Sequence, residues 1–345
     1  MASQPVDKQI TNQLAKEGFK SVSFSNTRKS VQKFEQNKYA QLIFQTIRSK
    51  SFLRVLMHLI TQEKLPVTKD QIQQILEENK ERLEKVLKSS LDRNLLCRSC
   101  SEVIQRYNIY DEGKPSGRMK CPKCNSPNEL NQCKEDDDWS FPKISVASYL
   151  DNLVESRMLT SKVMGNCTRC MRFEIFEQIP FEDIDSLTKQ GLGNYVKKIY
   201  CKHCGRFYDL TEIYNLEDFL VPLWNRDGIW LEWYVTKIIK EHFPRSPIEQ
   251  GLVVKDGEVL EVDVMLLNGG KLVSFECKAL SIRKNASFNE VSDALKPIDF
   301  SDEVFLVTTT TLKENDRKIL LKRGEGKLKI VEGSEIENLG NFIGK

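Results

Sequence analysis

The sequence predicts a multidomain α+β protein: a helical, winged-helix-like N-terminal module, two small cysteine-held ribbons, and a C-terminal α/β domain on a mixed central sheet. Three observations predict it. The chain has 345 residues, more than one hydrophobic core usually organises, so several modules are expected. Eight of its ten cysteines fall in four Cys-x-x-Cys doublets, which places small cross-linked units in the middle of the chain. In the last third, two runs of alternating apolar and polar residues meet at Asn268, Gly269 and Gly270, the signature of a β-hairpin.

Composition is that of an ordinary soluble chain, 40% hydrophobic and 29% charged with a net charge of +3. No apolar run approaches the length that spans a bilayer, which excludes function by membrane insertion. The opening MASQPVDKQI lacks the positive start and apolar stretch of a secretory signal. A cytoplasmic protein is expected.

Residues 1–36 are polar with scattered apolar positions, so a flexible arm or a short marginal helix is expected there. Leu42, Ile43, Ile47, Leu53, Leu56, Leu59 and Ile60 form the stripe of an amphipathic helix, broken near Ser49 to Ser51. Pro66 stops it. Thr68, with Gln71 three residues later, forms a capping-box pattern ahead of Ile72, Ile75 and Leu76. A third helix is predicted over Lys80 to Leu91. Three helices with a short second one make residues 37–96 resemble a winged helix, though an ordinary helical bundle shows the same periodicity. From Lys20 to Arg54, eight Lys or Arg face a single acid, Glu35; the run suits a phosphate backbone or a solvated helix surface.

The first ribbon, residues 97–133, carries Cys97 and Cys100, then Cys121 and Cys124; the second, residues 167–215, carries Cys167 and Cys170, then Cys201 and Cys204. Between them, residues 134–166 hold an acidic linker, Lys134 to Pro142, and an amphipathic helix over 145–158. The order helix then ribbon occurs twice, which suggests an internal duplication. Two residues between paired cysteines let one tight turn present both sulfurs to one ion, and a second turn completes a tetrahedron. Two structural Zn2+ ions are therefore expected, with no coordination position left for catalysis. Cys133 and Cys277 are left over, and His203 is read as a loop residue.

Residues 216–345 hold the candidate chemistry. Asp263 lies on the first strand of the hairpin, Glu276 and Lys278 on the second. Side chains alternate along a strand, so Glu276 and Lys278 share one side while Phe275 and Cys277 take the other. If Gly269 and Gly270 form the turn, Asp263 falls opposite Glu276; if Asn268 and Gly269 form it, Glu261 does, with Asp263 a diagonal neighbour. In either register, carboxylates crowd on one face, and a hard divalent cation such as Mg2+ or Mn2+ relieves their repulsion. Lys278 can then orient or help deprotonate a water and stabilise charge on a phosphate. Glu249, Glu261, Arg283 and Lys284 are weaker candidates for metal or phosphate contact.

An acid on one strand, Glu-x-Lys on the next, and a preceding helix GIWLEWYVTKII bearing Glu232 together resemble the PD-(D/E)xK nuclease superfamily. The layout is similar to the nuclease domain of CRISPR-associated, cyclic-oligonucleotide-activated DNases. The resemblance covers residues 216–345 and implies a restriction-endonuclease-like fold. It implies Glu232, Asp263, Glu276 and Lys278 as catalytic residues, with Glu232, Asp263 and Glu276 around the metal and the Cys277 carbonyl as an added ligand. It also implies DNA rather than RNA as substrate, and a role in defence against foreign DNA. The Pro-Asp dipeptide of the superfamily's name is missing, and no ligand-sensing Rossmann domain is visible upstream. The function expected is a metal-dependent endonuclease whose helical and ribbon modules bind nucleic acid or a protein partner. The alternative is a catalytically inactive nucleic-acid-binding or transcription-related adaptor; a homodimer is left open.

Overall fold

A computed structural model of the chain describes residues 6–49, 51–63, 65–86, 92–108, 115–135, 146–176, 200–224, 228–256 and 258–343. Its largest sheet has six strands: β1 (Ser21–Phe24), β11 (Ile248–Asp256), β12 (Glu258–Asn268), β13 (Lys271–Lys278), β14 (Glu303–Thr308) and β15 (Leu328–Glu332), adjacent in that order. β1, β11, β12 and β13 run antiparallel, whereas β13, β14 and β15 are parallel. Asn268 pairs with Lys271, so Gly269 and Gly270 form a two-residue turn with φ of 58° and 85°. Both turn residues need positive φ for the strands to keep their twist, which glycine supplies without steric cost. This chooses the first of the two registers considered above.

One sheet face, with Val264, Leu266, Val273, Phe275, Cys277, Phe305 and Val307, packs on the helix Ile229–His242. That helix is apolar nearly all round, because its far side meets the helices α3 (Ala40–Ser49) and α4 (Ser51–Thr61) in the same core. On the opposite face, Leu252, Val254, Val262, Met265 and Leu272 are covered by Ile10 and Leu14 of α1 (Lys8–Lys16). Val304 and Leu306 pack there against Val291, Ala294 and Leu320.

The N-terminal arm is therefore a correction. Asp7 caps α1 by accepting from the Gln9 and Ile10 amides at 2.8 and 3.4 Å. β1 then adds to the edge of the large sheet, and α2 (Asn26–Glu35) follows. A helix anchored by two apolar residues and a four-residue edge strand leave little trace in composition, which is why the segment reads as unstructured. Three of the eight basic residues in the run serve the fold: Arg28 pairs with Glu249, Arg48 with Glu241, and Arg54 with Glu337.

The helical segment differs from a winged helix as well. Its short strand β2 (Val67–Thr68) does not form a wing but pairs with Ile213 and Tyr214. Thr68 does cap α5 (Lys69–Glu78) through the capping box with Gln71. α6 is described over Lys80–Val86; residues 87–91 of the expected third helix lie outside the described residues. The strand β2 thereby ties this segment to a four-stranded sheet, in the order β2, β10 (Asp209–Leu216), β8 (Leu159–Cys167), β9 (Arg172–Phe176). The expected boundaries at 37–96 and 216–345 thus cut through one shared core.

The first cysteine unit is built separately, from β3 (Asp92–Leu96), β4 (Val103–Asn108) and β7 (Lys134–Glu135), with the small hairpin of β5 (Arg118–Lys120) and β6 (Pro127–Glu129). β7 takes up the start of the expected linker, and residues 136–142 lie outside the described residues. The helix α7 (Val146–Glu155) stands where the second amphipathic helix is expected. Among the described residues, no helix is long and apolar enough to cross a membrane.

Candidate active site and metal centres

Each of the four cysteine doublets sits on a tight turn of one design. The carbonyls of Cys97, Cys121, Cys167 and Cys201 accept from the amides of Ser101, Asn125, Met171 and Gly205 at 2.8 to 2.9 Å. Those four residues have φ between 53° and 68°. Such turns aim both sulfurs of a doublet inward, and the doublets meet in pairs. Cys97 and Cys124 approach to 3.5 Å, Cys100 and Cys121 to 3.6 Å, Cys167 and Cys204 to 3.4 Å, and Cys170 and Cys201 to 3.5 Å. These separations are too long for disulfides and close to the ~3.8 Å edge of a tetrahedron with metal–sulfur bonds of about 2.3 Å. Each four-cysteine group could hold a structural zinc. Cys133 is buried beside the first group without joining it, and His203 is not a member of the second.

The acidic site lies where β12 and β13 part. Glu276 and Lys278 project from the sheet face opposite to the one on which Phe275 and Cys277 pack. Lys278 Nζ lies 2.6 Å from Glu276 Oε1 and 3.8 Å from Asp293 Oδ2. Asp263 Oδ2 accepts from the Cys277 amide at 2.7 Å. In an extended strand the N–H and C=O of one residue point to the same edge, so the Cys277 carbonyl also faces Asp263. Glu232 comes in from the first turn of the helix Ile229–His242, buried to 5% exposure. Its Oε2 accepts from Gln250 Nε2 at 3.5 Å, and Thr236 Oγ1 donates to the Glu232 carbonyl at 2.8 Å.

Burial first, and then the charge of Asp263, pushes the Glu232 carboxyl up to about 9. Burial and Glu276 push Asp263 up to about 8. Glu276 is raised by burial, with Lys278 opposing the shift. Burial alone would lower Lys278, but Glu276, Asp263 and Asp293 outweigh it and hold the ammonium charged. The carboxylates are not drawn into a ready cage. Among the described residues, only the two four-cysteine groups bring three or more ligand atoms all within 4.8 Å of one another.

The weaker candidates fall elsewhere. Glu249 binds Arg28 and accepts from the Asp7 amide at 2.8 Å. Glu261 is exposed, but its charge raises both Glu232 and Asp263. Arg283 pairs with Glu63, and Lys284 with Glu290 at 2.7 Å. Gln250 and Asp293 were missed by sequence reasoning. Gln250 interrupts the apolar strand IEQGLVV, a signal that could have marked it; nothing local marks Asp293.

Fold and site together define an α+β protein with a six-stranded mixed sheet, a buried acid and lysine cluster at one hairpin, and two four-cysteine groups. No protein-family description matches the chain, and no curated protein does. Among solved structures it is similar to protein VC1899 from Vibrio cholerae, at 17% identity and a TM-score of 0.31 over 56% of this chain and 47% of that one. It is also similar to Can2 from Sulfobacillus thermosulfidooxidans in complex with cyclic tetra-adenylate, at 16% identity and a TM-score of 0.32 over 49% and 47%. A third likeness is to AF1548, a protein of unknown function, at 18% identity and a TM-score of 0.26 over 31% and 62%. The chain spans about half the length of the first two, and all three are loose likenesses.

Proposed function

We propose that this chain is a metal-dependent nuclease of the PD-(D/E)xK type, hydrolysing phosphodiester bonds with Glu232, Asp263, Glu276 and Lys278. The observation that carries the reading is the burial of three mutually repelling carboxylates beside one charged lysine. Such a cluster is costly for a fold unless a cation uses it. The donor set is all oxygen, hard and anionic, which fits Mg2+ or Mn2+ and disfavours zinc. Glu232, Asp263, Glu276 and the Cys277 carbonyl would hold the ion. When bound, it would supply Lewis-acid polarisation of the phosphate and a lower pKa for the attacking water.

The chain's own groups do the positioning. The Cys277 amide fixes the Asp263 carboxylate, and Gln250 steadies Glu232. Glu276 holds the Lys278 ammonium in place, where it orients the attacking water and offsets charge building on the phosphate oxygens. The motif's resemblance favours DNA over RNA and a defensive role.

The test is cleavage of single- and double-stranded DNA and RNA by the purified chain with magnesium or manganese, beside Lys278→Ala. Metal-dependent cutting lost in the variant is expected. Absence of cutting on every substrate, with both zinc ions bound, would favour the inactive nucleic-acid-binding adaptor.

A further inference from the structure

The two halves of the second four-cysteine group carry the same seven-residue pattern, Cys-x-x-Cys-x-Arg-Phe, as CTRCMRF from Cys167 and CKHCGRF from Cys201. The two halves of the first group do not; they read CRSCSEV and CPKCNSP. In the second group, therefore, an Arg-Phe pair follows each turn. The neighbouring Phe176 and Tyr208 rings pack beside the sulfurs with centroids 5.6 Å apart. Phe173 and Phe207 instead remain 70% and 51% exposed. Phe207 lies against the Tyr200 ring, tilted by 33° with centroids 4.1 Å apart, and Met171, 80% exposed, stands next to the first pair. Single exposed apolar residues need no explanation, but two aromatic rings at equivalent positions of a repeated turn do.

Within the two turns the charge has one sign, with Glu174 and Asp209 just outside them. Residues 166–173 and 200–207 contain Arg169, Arg172, Lys202 and Arg206 and no Asp or Glu. Zinc with four thiolates has a formal charge of about −2, which two of the four cations offset; with Glu174 offsetting a third, one remains. Arg172 reaches across to His203, so the two turns adjoin. Lys202 is paired with Glu174. Among the described residues, Arg169 and Arg206 have no acidic partner. In the first group, by contrast, Arg118 pairs with Glu129 and Lys123 with Glu102 at 2.9 and 3.0 Å.

Exposed rings interleaved with cations suit a strand whose bases are free to stack and whose backbone is anionic. A duplex hides its base faces and would use the cations alone. We infer that the turns of the second four-cysteine group form a binding surface for single-stranded nucleic acid, with Phe173 and Phe207 as base-stacking positions and Arg169, Arg172 and Arg206 along the phosphates. The inference deepens the nuclease reading by naming the form of strand the chain holds, but it stands on residues outside the acidic site.

The test is fluorescence anisotropy with the full chain and labelled oligothymidylate, oligouridylate and a duplex of equal length, magnesium omitted so that nothing is cut. Phe173→Leu and Phe207→Leu should each weaken single-strand binding about tenfold with both zinc ions retained, while Phe173→Trp and Phe207→Trp keep or tighten it. Duplex binding should be weaker and insensitive to all four changes. Unchanged affinity in the double leucine variant, or equal weakening by leucine and tryptophan, overturns the inference and leaves the surface to a protein partner. Tighter binding of the duplex by the unaltered chain overturns it too. Cleavage with magnesium is scored separately. Binding without cutting counts against the nuclease reading alone, and cutting without ring-dependent binding counts against this inference alone.

Discussion

The Cys277 amide donates to the Asp263 carboxylate at 2.7 Å, just beyond Val264 and Phe275, where the backbone ladder between β12 and β13 ends. On its other side, Asp263 is also passed over by β11, whose pairing steps from Gln250–Val264 to Leu252–Val262. The residue skipped there is Gly251, with φ of 62°, and a Cβ on it would come within 2.6 Å of Ser25 Oγ. Asp263 is thus released from both neighbours, and its side chain takes the place of a backbone acceptor. A strand position with this freedom can turn its carboxylate toward the neighbouring strand, as Asp263 does toward β13.

Asp263→Asn should stabilise the metal-free protein while removing its response to magnesium. The amide oxygen can still accept from Cys277, but the charge that repels Glu232 and Glu276 is gone. Relief equivalent to one pKa unit is ~1.4 kcal/mol, or a rise of about 2 °C in melting temperature for a protein of this size. Thermal melts with and without magnesium check it. A fall in the metal-free melting temperature would show that Asp263 is a structural hydrogen-bond acceptor first.

Arg54→Met should be among the most damaging single changes. Arg54 is 1% exposed, and its Nε and Nη2 donate to Glu337 Oε1 at 3.1 and 2.8 Å, with Nη2 also reaching the Gly333 carbonyl at 3.0 Å. The pair joins α4 to the C-terminal turn that follows β15. Losing one partner of such a pair leaves the other charge buried, at a cost of ~3–5 kcal/mol. Urea denaturation gives the number, and an effect under about 1 kcal/mol, the scale of an exposed pair, would mean that water reaches Glu337.

Much of this was legible in the sequence. The hairpin with its glycine turn and the Thr68 cap both depend on local periodicity and turn chemistry, and both stand where they were expected. The pairing of cysteine doublets was legible for the same reason. What escaped were contacts without a motif to mark both partners: β1 with β11, β2 with β10, and Arg54 with Glu337. In these, a residue's partner lies far along the chain, and no local pattern encodes it. Glu232 shows the difference within one site. Its helix position was readable, but its contact with Gln250 depends on how the helix lands on the sheet.

Loss of either zinc should have unequal consequences. The first four-cysteine group rests on its own small core of Leu95, Leu130 and Cys133, and its sheets share no strand with the rest. The second lies at the end of a sheet that reaches β2 and, through Tyr214 and Leu216, the main core. Cys121→Ser should therefore bring zinc content from two ions to one per chain with the main melting transition within about 2 °C of the parent, a surface-scale effect. Cys201→Ser should lose one ion as well but lower that transition by several degrees. Elemental analysis with calorimetry tests both, and equal shifts would refute the asymmetry.

His58 should make the fold less stable in mild acid. Burial, opposed by the bond to the Leu280 carbonyl and aided by Arg54, lowers its pKa from 6.5 to about 4. Its Nε2 lies 2.8 Å from that carbonyl. In the folded chain the ring stays neutral down to about 4, whereas the unfolded chain takes up a proton near 6.5. The unfolded state binds more protons in this window, so the contribution is complete above about 6.5 and is lost as pH falls toward about 4. At pH 5 the loss relative to pH 7 is about 2 kcal/mol, from about 1.5 units at ~1.4 kcal/mol each. Glu232 and Asp263, raised to about 9 and 8, act in the opposite direction, since they favour the folded state as pH falls. The unaltered chain alone would therefore mislead. His58→Gln keeps a donor for Leu280 and leaves the carboxylates as they are, so the difference between the two proteins isolates the histidine. Denaturant titrations at pH 5 and 7 should show the variant losing about 2 kcal/mol less than the parent, and an identical pH dependence in both would mean that His58 takes up its proton as readily in the fold as in the unfolded chain.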